Sequence, residues 1–368
     1  MDTLENANST YPKWFKPLIL KLAGFLNAVL HPDNEIPLFQ DSALGIAYKA
    51  SDLLNTARVL VGYKHTGINP DDTGELFWLL CGNLQNGNSE ERNSKDKKII
   101  DLNESGYLVF NSSSSNNRII IDKGEISPDH IPAHGHSSIF SYELSIGGKR
   151  VIVDSGVELY GAGKWRDYYR GTSSHNTLTI DGNNQSDVWS SFRVGCRAKI
   201  TNSKIMQKEE HSTFIGSHDG YKRMKGNIMH WRSITSLHSG AWLVVDFVEG
   251  KGIHNLESYI HLHPSVKLKY RDELPAYIRM TIGELNYTIL VLGDWSVKTV
   301  CGESNPLQGW YAEEFGKKVE NNTIILSKNS DLPASGGYFI FPTEWGMQTV
   351  NWEFSPTKFN FSIKAGSD

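Results

Sequence analysis

The stretch Phe140-Ser141-Tyr142-Glu143-Leu144-Ser145-Ile146-Gly147-Gly148-Lys149-Arg150-Val151-Ile152-Val153-Asp154 decides how this chain is read. Large apolar residues at 140, 142, 144 and 146 alternate with Ser, Glu and Ser. Successive side chains of a strand point to opposite faces, so this period of two predicts a strand with one apolar face. Gly147-Gly148 predicts a tight turn, because both central positions of such a hairpin loop favour positive φ. Val151-Ile152-Val153 then returns as the partner strand, with Asp154 at its end.

The same period recurs on either side. One hairpin is predicted over 107–110 and 119–121 around a polar turn, and another over 231–234 and 243–248. Further strands are expected at 258–263, 287–292, 323–326 and 337–341. Many short strands separated by Gly and Asn turns, with no helices between them, predict a mostly β protein. The expected fold is a large antiparallel β-sandwich over 105–368, about 250 residues. Upstream the period becomes helical. Leu18, Leu20, Leu22, Phe25, Leu26, Val29 and Leu30 form a broad apolar face, opened by Pro17 and closed near Pro32. A second helix is expected at 50–61, where Leu53, Leu54, Ala57 and Leu60 recur. Residues 1–82 are thus a helical segment, either the end of a larger helical unit or a cap on the sandwich. Residues 83–104 are read as a polar linker, with Lys95, Lys97 and Lys98 on a solvated face.

Composition sets outer limits. A length of 368 residues fits two domains or one large β domain. Lys+Arg 37 against Asp+Glu 41 leaves a net charge of -4, so no overall basic field exists to attract nucleic acid. Cys81, Cys196 and Cys301 are too far apart for a paired metal motif and are read as small buried hydrophobes. No apolar run approaches the ~20 residues of a membrane span. The start Met1-Asp2-Thr3-Leu4-Glu5 lacks the basic region of an export signal.

Histidines carry the chemical signal. Among 13, His134 and His136 form a His-x-His pair just ahead of the 140–146 strand. On a strand, residues i and i+2 share a face, so both imidazoles would address one site. Hairpin pairing is expected to bring Asp154 back toward His136, and His175 lies in the following loop, Ser173-Ser174-His175-Asn176-Thr177. Two histidines, a carboxylate and an open fourth position make a zinc composition of the catalytic type. The plain alternative is a pair of surface histidines on a β edge. Between Asp154 and His175 runs Lys164-Trp165-Arg166-Asp167-Tyr168-Tyr169-Arg170. Arg166 and Arg170 suit bidentate contacts with an anion. Tyr160, Tyr168 and Tyr169 offer phenols and Trp165 a stacking face for a sugar, unless the segment only packs aromatics on the sandwich. His261 and His263 are read as strand residues, Trp189, Phe192 and Trp231 as sandwich core or rim, and Asp219 as a turn former.

The run Ile131-Pro132-Ala133-His134-Gly135-His136, then 140–156, then 165–177, resembles the signature of the heparinase II/III-like family. Residues 181–186, His218-Asp219-Gly220-Tyr221, Gly309-Trp310-Tyr311 and the junction-like 36–43 resemble further landmarks in the same order. The resemblance implies a polysaccharide lyase built as an (α/α) toroid followed by a β-sandwich, with 1–82 as the end of the toroid. It implies zinc held by His136, Asp154 and His175, and His134 as the catalytic histidine. The reaction implied is β-elimination on a uronate-bearing polysaccharide, a glycosaminoglycan or an exopolysaccharide. In that chemistry Arg166 or Arg170 would help neutralise the uronate carboxylate. His134 would be the base or one member of the acid–base pair, with Tyr168 as a second proton-transfer candidate. Zinc would order the loop and strand, since elimination uses no hydrolytic nucleophile. Family members often work in the periplasm or outside the cell, which the start of this chain leaves open.

Two departures from the pattern stand out. Only the last helices of the toroid have a counterpart, whereas in the family the toroid supplies a catalytic tyrosine with an asparagine or histidine. Ser137-Ser138 stands where Ala-Asp is frequent, which removes a carboxylate from the neighbourhood. A second expectation is therefore a truncated, catalytically weak carbohydrate-binding sandwich, completed by a separate toroid-domain polypeptide. A zinc hydrolase with hydroxide at the open metal position is the third.

Overall fold

Strands β1 (Ile99–Leu102), β2 (Tyr107–Ser112), β3 (Asn117–Asp122), β4 (Tyr142–Ile146) and β5 (Lys149–Ile152) form an antiparallel sheet in that order. The computed structural model describes residues 11–61, 97–112, 116–270 and 276–366; the expectations for 62–96, Cys81 among them, lie outside the described residues. Pairing of β1 with β2 runs from Ile99↔Phe110 to Leu102↔Tyr107, so strand structure begins inside the stretch expected to be linker up to Glu104. Gly147 and Gly148 have φ of 57° and 82°, the left-handed pair that the predicted turn requires.

A four-stranded sheet, ordered Ser296–Cys301, Asn322–Asp331, Ile253–His261, Leu178–Ile180, joins the first through the bridge Ile152↔Leu262. An eight-stranded antiparallel sheet packs against both. Its order is Lys267–Tyr270, Tyr277–Ile282, Leu285–Leu292, Ala334–Pro342, Ala241–Glu249, Met229–Leu237, His211–His218, Ile200–Gln207. The antiparallel sandwich expected from the alternation is the observed architecture. Its core joins Phe110, Ile121, Tyr142 and Leu144 of the first sheet, Ile260, Ile324 and Leu326 of the second, and Phe214, Ile234, Val244 and Ile340 of the third. Burying each such side chain contributes about 1.5–3 kcal/mol. The hydroxyls of Tyr142 and Tyr338 meet at 2.7 Å across that core. On the outer face of the large sheet, the hairpin Gln348–Ser355/Lys358–Ala365 packs Val350 and Phe354 onto Leu243, Leu290 and Phe339.

The polar face of β4 is buried as well. His31 reaches Ser145 Oγ through Nδ1 at 2.7 Å and Glu143 Oε2 through Nε2 at 3.0 Å, and the Leu38 N–H donates to Glu143 Oε1 at 2.6 Å. Arg150 joins Glu143 at 3.3 Å and Asp33 at 2.7 Å. Residues 31–44 are therefore held on the sheet by a mutually paired polar set, buried except at Asp33, and their placement matters below.

Upstream, the helix Phe15–Val29 starts two residues before Pro17. A first-turn N–H has no helical partner, so proline costs nothing there. The helix packs on Ala50–Leu60, yet Leu18, Leu20 and Leu22 remain 43%, 50% and 56% exposed. Among the described residues no helix is long and apolar enough to cross a membrane. Cys196 and Cys301 are exposed, against the expectation of burial; Cys301 follows buried Val300 and so falls on the solvent face of its strand.

Candidate active site

His134 and His136 sit in an irregular turn just ahead of β4, so the shared face of a strand is not what brings the two rings together. Gly135 between them allows a tight passage, since a Cβ there would lie 2.8 Å from the Ile126 carbonyl oxygen. The turn leaves the His134 side chain 55% exposed and buries His136 completely. Both rings converge on Asp41, which the sequence reading did not single out. His134 Nδ1 donates to Asp41 Oδ2 at 2.8 Å and His136 Nε2 donates to Oδ1 at 2.8 Å. Arg166 grips the same carboxylate, NH1 to Oδ1 and NH2 to Oδ2. Burial works against ionisation of Asp41, but the hydrogen bonds from His136 and Arg166 outweigh it and hold the carboxyl well below its usual range. Burial likewise drives His136 down to about 3, against the pull of Asp41, so the imidazole is neutral.

Asp154, fully buried beyond β5, accepts from the Gly156 N–H at 3.1 Å and from His175 Nδ1 at 2.7 Å. Burial raises its pKa and His175 counters part of the shift. Asn176 fixes the loop: its Nδ2 donates to the carbonyls of Tyr142 and Val153, both at 2.9 Å, and its Oδ1 accepts the His261 N–H at 2.7 Å. His261 is a strand residue, as expected, and borders the loop that carries His175. The rings of His136 and His175 lie 5.4 Å apart, centroid to centroid.

His136 Nδ1 and His175 Nε2 are both buried without a hydrogen-bond partner. Such an orphan costs about 1–3 kcal/mol. Each ring is held from its other nitrogen by a carboxylate, Asp41 or Asp154, the support that metal-ligating histidines use. Two imidazole nitrogens are donors that zinc accepts. Among the described residues, no three His, Cys, Asp or Glu side chains are grouped as a ready ligand set. Both oxygens of Asp154, expected as the third ligand, are engaged by His175 and Gly156.

The helix Lys164–Arg170 changes the expected roles of four residues. It buries Arg166, Tyr168 and Arg170, and a buried polar tip must find a partner inside the protein. Arg166 donates Nε to the Ser191 carbonyl besides holding Asp41. Arg170 donates to the carbonyls of Gly135, Trp189 and Ser190. Neither guanidinium is free for a substrate carboxylate: Arg170 clamps the turn that carries the histidines through Gly135, and Arg166 holds the Asp41 that both rings meet. Tyr168 donates to Gln308 Oε1 at 3.1 Å and burial pushes it up to about 12, so the phenol stays protonated and paired inside the protein. Trp165 packs on Tyr169 and Trp310, with Lys318 Nζ 4.5 Å from its ring centre, so it does not offer a free stacking face. Tyr160 and Phe192 instead pack edge-on to His134, at 5.7 Å and 5.5 Å. Phe192 and Trp189 are 41% and 48% exposed, on the rim.

Residues 94–353 match the family described as Heparinase II/III-like, C-terminal. The chain belongs to the heparinase II/III-like family. A heparin-sulfate lyase of Pedobacter heparinus is 23% identical over 256 residues, which span 68% of this chain and 34% of that protein. A solved heparinase III aligns with a TM-score of 0.69 at 18% identity, covering 96% of this chain and 52% of that one. The heparan sulfate lyase HepC of Pedobacter heparinus gives 0.68 at 17% identity, covering 96% of this chain and 52% of its own. At those identities the solved structures establish the fold. This heparinase II/III-like chain spans about half their length.

In this heparinase II/III-like site the Ser137-Ser138 departure does not strip the surroundings of carboxylates. Ser138 Oγ donates at 3.2 Å to Asp122, which burial pushes up to about 7 despite further hydrogen bonds from Gly124 and Gln40. Ser137 Oγ accepts the Ser186 N–H at 2.7 Å and ties the turn to the 181–186 segment. The one sequence signal for Asp41 is its place in the junction-like 36–43 stretch.

Proposed function

We propose that this chain is the sandwich part of a zinc-containing polysaccharide lyase, acting on a uronate-bearing polysaccharide, glycosaminoglycan or exopolysaccharide, by β-elimination. The observation that carries the reading is the exposed His134 ring, anchored through Nδ1 by a buried carboxylate and set beside two buried imidazoles with unpaired nitrogens.

In the proposed reaction His134 Nε2 takes the C5 proton of the uronate. The C5–H electron pair forms the C4=C5 double bond, and the bond to O4 breaks as that oxygen leaves with the bonding pair and takes a proton from water. Asp41 and Arg166 hold the base; the rim formed by Tyr160 and Phe192 gives the sugar an apolar wall beside it. Because Arg166 and Arg170 are spent internally, the uronate carboxylate must be neutralised by another group. His136 and His175 would hold zinc, with Asp154 behind His175. When bound, zinc would supply a fixed positive centre that ties the His-x-His turn to the His175 loop.

A second reading is the catalytically weak, carbohydrate-binding sandwich completed by a separate toroid-domain polypeptide. The open leucine face of Phe15–Val29 favours it, with the helical segment as the end of that toroid. Incubating the chain with a panel of uronate polymers and following the absorbance of the conjugated double bond separates the two. Absorbance growth with any polymer supports the lyase. Binding without cleavage across the panel overturns it in favour of the second reading.

A further inference from the structure

We infer that Asp41 is a positioning residue that fixes two neighbouring histidines in opposite tautomers: His134 with its proton on Nδ1 and a bare, outward Nε2, His136 with its proton on Nε2 and a bare, buried Nδ1. The geometry leaves no other pairing. Asp41 is gripped by both terminal nitrogens of Arg166 and is 5% exposed, so it is a carboxylate that accepts and does not donate. Its Oδ2 takes His134 Nδ1 and its Oδ1 takes His136 Nε2, each at 2.8 Å. A neutral imidazole has one N–H, so in each ring the nitrogen that faces Asp41 carries the proton and the other carries the lone pair.

Free histidine in water favours the proton on Nε2, so Asp41 drives His134 to the less common form. That form is the one a base needs, with its lone pair on the exposed side of the ring. The same carboxylate gives His136 the opposite arrangement, with the lone pair inside, toward the region shared with His175. Gln40 adds a second grip, its Oε1 accepting the His136 N–H at 2.5 Å. Both residues come from the 31–44 segment that His31, Asp33 and Leu38 dock onto Glu143 and Arg150. The tautomers of the site are therefore set by a segment far from it in sequence, and correct docking of that segment is a condition for a competent base.

The tautomer assignment is independent of the lyase reading; only its use as a base rests on that reading. The test is a long-range nitrogen–proton correlation spectrum of the metal-free full chain labelled in histidine, recorded where imidazole is neutral. His134→Gln and His136→Gln provide the assignments. The expected result is Nδ1–H for His134 and Nε2–H for His136. Nε2–H on both rings, or Nδ1–H on both, overturns the inference, and this needs no folded Asp41 variant. In Asp41→Asn, His134 should shift toward Nε2–H, and Asp41→Glu should restore part of the parent spectrum. If the parent cleaves a polymer, Asp41→Asn should lower kcat by roughly 10–100-fold with KM little changed. A shifted tautomer with parental kcat would remove Asp41 from the mechanism while leaving the tautomer assignment in place. A parent without activity on any polymer would count against the lyase reading alone.

Discussion

Replacing Asp246 by Asn should destabilise the fold by about 3–5 kcal/mol, the penalty for leaving one member of a buried ion pair alone. Asp246 lies on Ala241–Glu249 and Arg232 opposite it on Met229–Leu237; they are 1% and 0% exposed. Arg232 donates Nε to Oδ1 at 2.7 Å and NH2 to Oδ2 at 2.9 Å, and His230 Nε2 adds a third donor at 2.8 Å. Asparagine keeps the shape, but it removes the counter-charge and turns one acceptor into a donor that opposes the guanidinium or His230. Hydrogen bonds to charged groups contribute about 1.5–3 kcal/mol each. Losing one and weakening the others reaches the range given. Arg232 NH1 also donates to the carbonyls of Phe140 and Asn176, so its displacement would reach the residue next to His175. The assay is urea unfolding of the parent, Asp246→Asn, Arg232→Met and the pair Arg232→Met/Asp246→Leu. The double variant strands no charge and should recover much of the summed single losses. A loss below about 1 kcal/mol for Asp246→Asn, or a double variant as unstable as the sum of its singles, refutes the argument.

Acid should weaken the protein in two stages. Burial lowers the pKa of His31, His218 and His230, so below about pH 6.5 the unfolded chain binds protons that the folded one refuses, and stability falls as pH falls. Asp246 resists the burial penalty because of Arg232 and is held below its ordinary value of 3.8, so its share is present above that pH and is lost below it. A melting temperature equal at about pH 7 and about pH 5 would contradict the first stage. His136→Ala should abolish zinc uptake measured by metal analysis and loosen the His175 loop; unchanged zinc content would sink its assignment as a ligand. His134→Ala should keep zinc and fold and lower any lyase rate, and a variant as active as the parent would exclude His134 from the chemistry.

What the sequence determined by itself was local. The alternation over 142–146 and the Gly147-Gly148 turn were legible because a strand's period and a turn's positive φ are properties of a few adjacent residues, whereas Phe140, expected to open that strand, has a φ of 63° and lies in the turn before it. His134, His136, Asp154 and His175 could be singled out because they fall within one ordered run around that hairpin. Tertiary structure alone decided what each group does. Asp41 is 93 residues from His134 and 125 from Arg166, and no local pattern announces a contact made by docking one segment on a sheet. Arg166, Arg170 and Tyr168 looked available as anion and proton groups; burial of their helix turned them inward, because a polar group removed from water must be paired inside the protein. Glu143, on the polar face of an alternating strand, is buried for the same reason: residues 31–44 cover that face and supply its partners. Periodicity shows that a face is polar, and only packing shows whether water or protein lies against it.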